Sequence, residues 1–165
     1  MASRIIKGAG LVIAAPLIIA AVVVSLPFIF LVFIGRFFGH LWYVARLRSS
    51  WPSGKFVLFA YTESELWAPY IEGTLLPQIA EHCVVVNRSR EDWKRHFPGE
   101  SGALSFWGGG RSYNPIAVVL RPWGRIRVFR FYESFKKLKQ GHTSSLEGAV
   151  SELVHCVRDT ANVRT

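Results

Sequence analysis

At 165 residues the chain has room for one small domain and something more. Half of its residues are hydrophobic and unevenly spread, and the formal net charge is +9. Its two cysteines lie 73 residues apart and its five histidines are scattered, which excludes a metal-ligand spacing. Cys83 and Cys156 are read as buried free thiols, with a disulfide only if the domain faces an oxidising compartment.

Residues 1–7 form a short tail carrying Arg4 and Lys7. Residues 8–35 then hold no charge at all: GAGLVIAAPLIIAAVVVSLPFIFLVFIG, 28 uncharged residues. A transmembrane helix needs only about 20, and a signal peptide's apolar region is about 7–15. The run therefore predicts a membrane-spanning helix. Pro16 and Pro27 lie inside it, so the choice is between one kinked span and a re-entrant hairpin, with the span preferred. Arg4 and Lys7 precede the run, whereas Arg36, Arg46, Arg48 and Lys55 follow it, and Glu63 is the first acidic residue. The positive-inside rule then predicts a cytoplasmic C-terminal part.

Residues 36–54 read as a basic and aromatic juxtamembrane segment ending in a linker, SSWPSG. Arg36, Trp42, Tyr43, Arg46 and Arg48 suit the headgroup layer, where rings keep a wet edge and guanidinium groups meet anionic lipid. The same residues are also the ordinary flank of any membrane helix.

Residues 55–165 predict one α/β domain. Phe56–Tyr61, Cys83–Val86, Ile116–Leu120 and Ile126–Tyr132 read as strands, the last two as a hairpin about the turn Arg121–Gly124. Glu63–His82 has helical spacing, broken by Pro69 and Pro77. Arg90–His96 suggests a short helical piece, and Pro98–Asn114 reads mainly as loop. Ser144 and Glu147 have capping-box spacing before a helix with Leu146, Val150, Leu153 and Val157 on one face.

Three stretches together resemble the thioredoxin fold, over roughly Lys55–Asp159. FVLFAYTESELWAP (Phe56–Pro69) resembles that family's first strand, active-site turn and helix, with the alanine-proline pair in the helix. NPIAVVLRPWG (Asn114–Gly124) resembles its cis-proline, strand and glycine turn, and the C-terminal helix resembles its last helix. The resemblance implies a thioredoxin-like β-α-β / β-β-α sandwich behind an N-terminal transmembrane helix. It also implies that Pro115 is the cis-proline facing the turn Thr62, Glu63, Ser64 and Glu65. The family's oxidoreductases carry Cys-x-x-Cys at that turn. Here carboxylates and hydroxyls replace the thiols, so no redox activity is implied. Glu63 and Glu65 then read as favourable charges at a helix start.

Arg121, Arg125, Arg127, Arg130, Lys136 and Lys137 gather around the hairpin and form the strongest exposed feature of the domain. Such a face could meet anionic lipid headgroups or an acidic protein, or be merely solvated; no nucleic-acid-binding motif accompanies it. WGGGRS (Trp107–Ser112) matches no nucleotide-binding pattern and reads as a flexible loop. Asn87-Arg88-Ser89 fits a glycosylation triplet, relevant only outside the cytoplasm. No cofactor or metal is expected. The favoured reading is a membrane-tethered, redox-inactive binding or scaffolding module, such as an accessory subunit with a membrane-protein partner. The alternative is a membrane-bound enzyme using the 62–65 turn, with Arg111 or Arg121 holding an anionic substrate.

Overall fold

A computed structural model describes residues 2–108 and 114–164, with side chains from residue 22 onward. The glycine-rich loop expected around Arg111 lies mostly outside the described residues. The chain divides into two compact units, Met1–His40 and Leu41–Thr165.

The first helix, α1 (Ala2–Ser50), continues through both prolines without the bend of a re-entrant hairpin. Over Val22–Ser50 it is long and apolar enough to cross a membrane. Phe28, Phe30, Phe33, Phe37 and Phe38 are all more than half exposed, as side chains meant for an apolar solvent would be.

The second unit is built on a sheet of β1 (Val57–Tyr61), β2 (Cys83–Asn87), β3 (Ile116–Leu120) and β4 (Ile126–Arg130). The order is β2-β1-β3-β4. β1 runs parallel to β2 and antiparallel to β3, and β3 runs antiparallel to β4. All four are short β-branched or aromatic runs, which suit a pleated, packed surface. β1 and β3 are buried along their whole length, so both faces of the sheet must be covered.

Between β1 and β2 the chain forms α2 (Ala68–Tyr70), a π turn (Ile71–Leu75), α3 (Leu76–Ile79) and a 3-10 turn (Ala80–His82). Pro77 has no N–H to donate and its ring would crowd the carbonyl four residues back. The helix widens just before it, and Leu76 bonds to Ile71 instead. After β2 come α4 (Trp93–His96) and α5 (Pro98–Gly108); after β4 come α6 (Tyr132–Lys139) and α7 (Ser144–Asn162). α7 packs on α3, α6 and β3, while α5 packs on α4 and β3. Leu146, Val150, Leu153 and Val157 of α7 are buried as the spacing predicts. Its N-cap is Thr143 and no side-chain cap bond forms, so the capping box from Ser144 is not made.

α5 replaces the expected loop. A proline opens it, Glu100 lies in its first turn, and Ala103 and Leu104 are buried. Its glycines, which weaken a helix in isolation, allow close approach to α1 here. A β-carbon on Gly102 would lie 2.7 Å from the Tyr43 ring, and one on Gly99 would lie 3.2 Å from Arg46 Nε. Tyr43 also packs on Phe106 and Trp107.

The end of α1 is therefore part of the folded unit, not a linker outside it. Val44 and Leu47 are buried, and so is Trp51, whose indole N–H donates to Glu100 Oε1 at 2.7 Å. Tyr43 and Arg46 lie against α5, and Arg48 donates to the Arg121 carbonyl at 3.1 Å. Of the residues expected at a membrane interface, Arg36, Trp42, Arg46 and Arg48 are exposed and Tyr43 is half-buried. The compact unit begins at Leu41 rather than Lys55 because an apolar stripe on α1 completes its core.

A fragment of residues 41–165 should melt cooperatively, and one of residues 55–165 should not. Losing Leu47 and Trp51 costs about 2–5 kcal/mol each, a large part of the roughly 5–15 kcal/mol of a small domain. Thermal unfolding followed by near-ultraviolet circular dichroism checks this; equal cooperative melts would return the boundary to Lys55.

Candidate functional site

The β1–β3 register pairs Ala60 with Ile116, which brings Thr62 beside Asn114 and Pro115. The Asn114–Pro115 peptide is cis. Asn114 is buried. Its amide is assigned with the oxygen toward Thr62, since the reverse would set that oxygen against the Ala60 carbonyl. In this orientation it donates to Ala60 O at 3.0 Å and accepts from Thr62 Oγ1 at 2.8 Å and Thr62 N at 3.0 Å. One side chain thus ties both strand ends together.

The turn after β1 differs from a helix start. α2 begins only at Ala68, and the Ser64 carbonyl accepts from the N–H groups of Trp67 and Ala68. Glu63 is drawn away toward the end of β2. Its N–H donates to Ser89 Oγ at 2.7 Å and its carboxylate accepts from Asn87 Nδ2 at 2.7 Å. Asn87 Oδ1 in turn accepts from Ser89 N–H at 2.9 Å. Glu63 is therefore not the helix-dipole charge expected, and Glu65 lies in the turn ahead of α2 rather than in its first turn. Ser64 Oγ accepts from the Leu66 N–H at 3.4 Å, and the Trp67 indole donates to the Thr62 carbonyl at 2.8 Å. Beyond the turn, Tyr61 donates its hydroxyl to Glu72 at 2.7 Å. Burial first, then this bond to Glu72, pushes the Tyr61 pKa up to about 12.

An open cleft of about 700 Å³ lies beside the turn, lined by Thr62, Ser89, Arg90, Trp93, Lys94 and Asn114 among others. Thr62, Ser89 and Asn114 already serve internal bonds there, and Lys94 leans toward the Trp93 ring at 6.0 Å. Arg90, Lys94 and Glu91 also line the cleft, which therefore carries both signs of charge.

The six expected hairpin cations do not form one face. Arg127 is ion-paired with Glu152 of α7 and lies over the Phe129 ring at 5.1 Å. Arg130, three residues on, falls on the opposite face of β4 by alternation. Lys136 and Lys137 are exposed on α6. Only Arg121 and Arg125 belong to the hairpin tip, where Arg121 N–H donates to the Arg125 carbonyl at 2.8 Å. Sequence reasoning missed their neighbours. Arg48 reaches the Arg121 carbonyl, and Arg164 reaches the Leu120 carbonyl at 2.9 Å while its guanidinium lies over Phe56 at 4.8 Å. It also missed Trp123 between them, although a tryptophan before the turn glycine was a visible signal.

Both cysteines are buried and unpaired. Burial pushes the Cys83 thiol up to about 12, so it stays protonated in the folded chain. Among the described residues no group of histidine, cysteine or carboxylate side chains could hold a metal ion.

Asn114→Ala should destabilise the second unit by about 1–3 kcal/mol, since it strands the Ala60 carbonyl and the Thr62 N–H; urea unfolding measures it, and an unchanged midpoint would show the clasp to be dispensable. Cys83 should resist alkylation at about pH 8 until urea is added. Its folded pKa lies above the free-thiol value of about 8.5. Its contribution to stability is therefore complete below that value and is lost as pH rises toward 12. Rapid labelling of the native chain at pH 8 would contradict this. No protein-family model, curated protein or solved structure matches the chain, so its functional reading rests on the chemistry of these residues.

Proposed function

We propose that the chain is a membrane-tethered, redox-inactive binding module of thioredoxin-like architecture, with its C-terminal unit on the cytoplasmic side, serving as an accessory subunit of a membrane complex. The observation that carries this reading is the state of the junction after β1. Thr62, Glu63, Ser64, Asn87, Ser89 and Asn114 hydrogen-bond within the protein there, and no thiol is present. A catalytic turn needs a nucleophile or acid–base group left available to substrate. Apart from the exposed Glu65, the polar groups of this turn hold strands and loop together.

Support for the architecture comes from the strand order β2-β1-β3-β4, its mixture of one parallel and two antiparallel pairings, and the cis Asn114–Pro115 bond beside Thr62. Support for the tether comes from the length and exposed apolar surface of α1. The basic residues following its apolar run favour the cytoplasmic side.

Tagged full-length chain, extracted from its own membranes in mild detergent, should bring down a stoichiometric partner and should show no thiol–disulfide exchange. Recovery of the chain alone would overturn the accessory-subunit reading. Because both native cysteines are buried, Arg158→Cys supplies a single reactive thiol on α7. In sealed cells it should resist a membrane-impermeant maleimide, and outside labelling would reverse the orientation.

A further inference from the structure

The hairpin tip departs most from what folding alone would select. Trp123 is 94% exposed, whereas β3 leading into the tip is buried along its length. Its backbone is left-handed, at φ 60° and ψ 24°, followed by Gly124 at φ 74°. Glycine, asparagine or aspartate adopt that conformation with little strain, and a tryptophan does not. The ring gains nothing from the domain to offset that strain. Backbone strain that buys no internal packing marks a position held for another purpose.

Four arginines gather at the tip. Arg121 and Arg125 flank Trp123 in sequence, Arg48 of α1 bonds the Arg121 carbonyl, and Arg164 beyond α7 bonds the Leu120 carbonyl. Among the described residues none of these four arginines is in an ion pair. Burial, then the nearby Arg48, holds Arg164 below the ordinary arginine range. Val163, 68% exposed, adds apolar surface next to Arg164.

We infer that the tip formed by Trp123 with Arg121, Arg125, Arg48 and Arg164 is a docking surface for an acidic face of a partner protein, Trp123 filling an apolar pocket within that face. Exposed tryptophan and arginine are the residue types in which binding energy concentrates. The four guanidinium groups supply the charge complement of carboxylates. A protein face is preferred to the bilayer for a physical reason. A headgroup layer accepts an indole in many orientations and places no demand on its backbone, whereas a pocket does. Arg48 and Arg164 are also fixed on backbone carbonyls, which sets their positions for a shaped partner. This inference rests on the binding-module reading and names its surface.

The test compares full-length wild type with Trp123→Gly and Arg125→Glu, each extracted from native membranes in mild detergent. Glycine takes the left-handed conformation freely, so Trp123→Gly should keep its melting temperature or raise it, which separates lost docking from lost folding. The stoichiometric partner of the wild type should fall at least about tenfold in recovery with either variant. Wild-type recovery should also fall as salt rises from about 0.05 to 0.5 M. A photo-crosslinking amino acid at position 123 should react with that same partner, in a segment rich in aspartate and glutamate. A partner recovered undiminished from both variants overturns this inference and leaves the module reading intact. Crosslinks to lipid alone, or to a basic segment, also overturn it. Recovery of no partner by the wild type overturns both.

Discussion

The central strand β1 sets the terms for the rest of the fold. It lies between a parallel and an antiparallel neighbour, and each of its five residues is buried. A strand buried on both faces needs packing partners above and below the sheet. The helices after the sheet, α6 and α7, form one packed group with α3. α5 belongs to another, and it is completed by Val44, Leu47 and Trp51 at and just beyond the end of α1. One helix therefore carries the long apolar run and also contributes core side chains to the α/β unit. That dual duty explains why the stretch before β1 is not a flexible linker. SSWPSG looks like one, but its tryptophan is clasped by Glu100.

Much of this order is legible in the residues, and the failures have physical causes. The four strands stand out because each is a short β-branched or aromatic run bounded by turn residues. α7 stands out because its apolar residues, from Leu146 to Val157, recur at helical spacing over about three turns. α5 was hidden by its glycines, whose meaning depends on Tyr43, a residue far away in sequence. The start of the helix after β1 was misplaced for a related reason. Two glutamates suggest a helix N-terminus, but Asn87 and Ser89, at and just beyond the end of β2, capture Glu63, and a hydrogen-bonded turn at 65–67 precedes the helix at Ala68. Propensity lost to a tertiary bond in both cases. The basic residues were visible as a cluster in sequence, but strand alternation and the pairing of Arg127 with Glu152 divided them in space.

The two ends of the sheet are treated differently, and the difference carries the functional argument. At the end where β1 finishes and β3 begins, Asn114, Thr62, Glu63, Asn87 and Ser89 hydrogen-bond to one another. At the other end, about 13 Å along β3, the chain turns through Trp123 in a conformation its side chain does not favour. Buried polar networks stabilise a fold only when all their members are satisfied, and the first end meets that condition. The second end leaves an aromatic ring and several cations exposed, which lowers the stability of the isolated chain rather than raising it. The contrast between an end whose polar groups hold one another and an opposite end that exposes an indole on a left-handed backbone among arginines is what the proposed docking surface rests on.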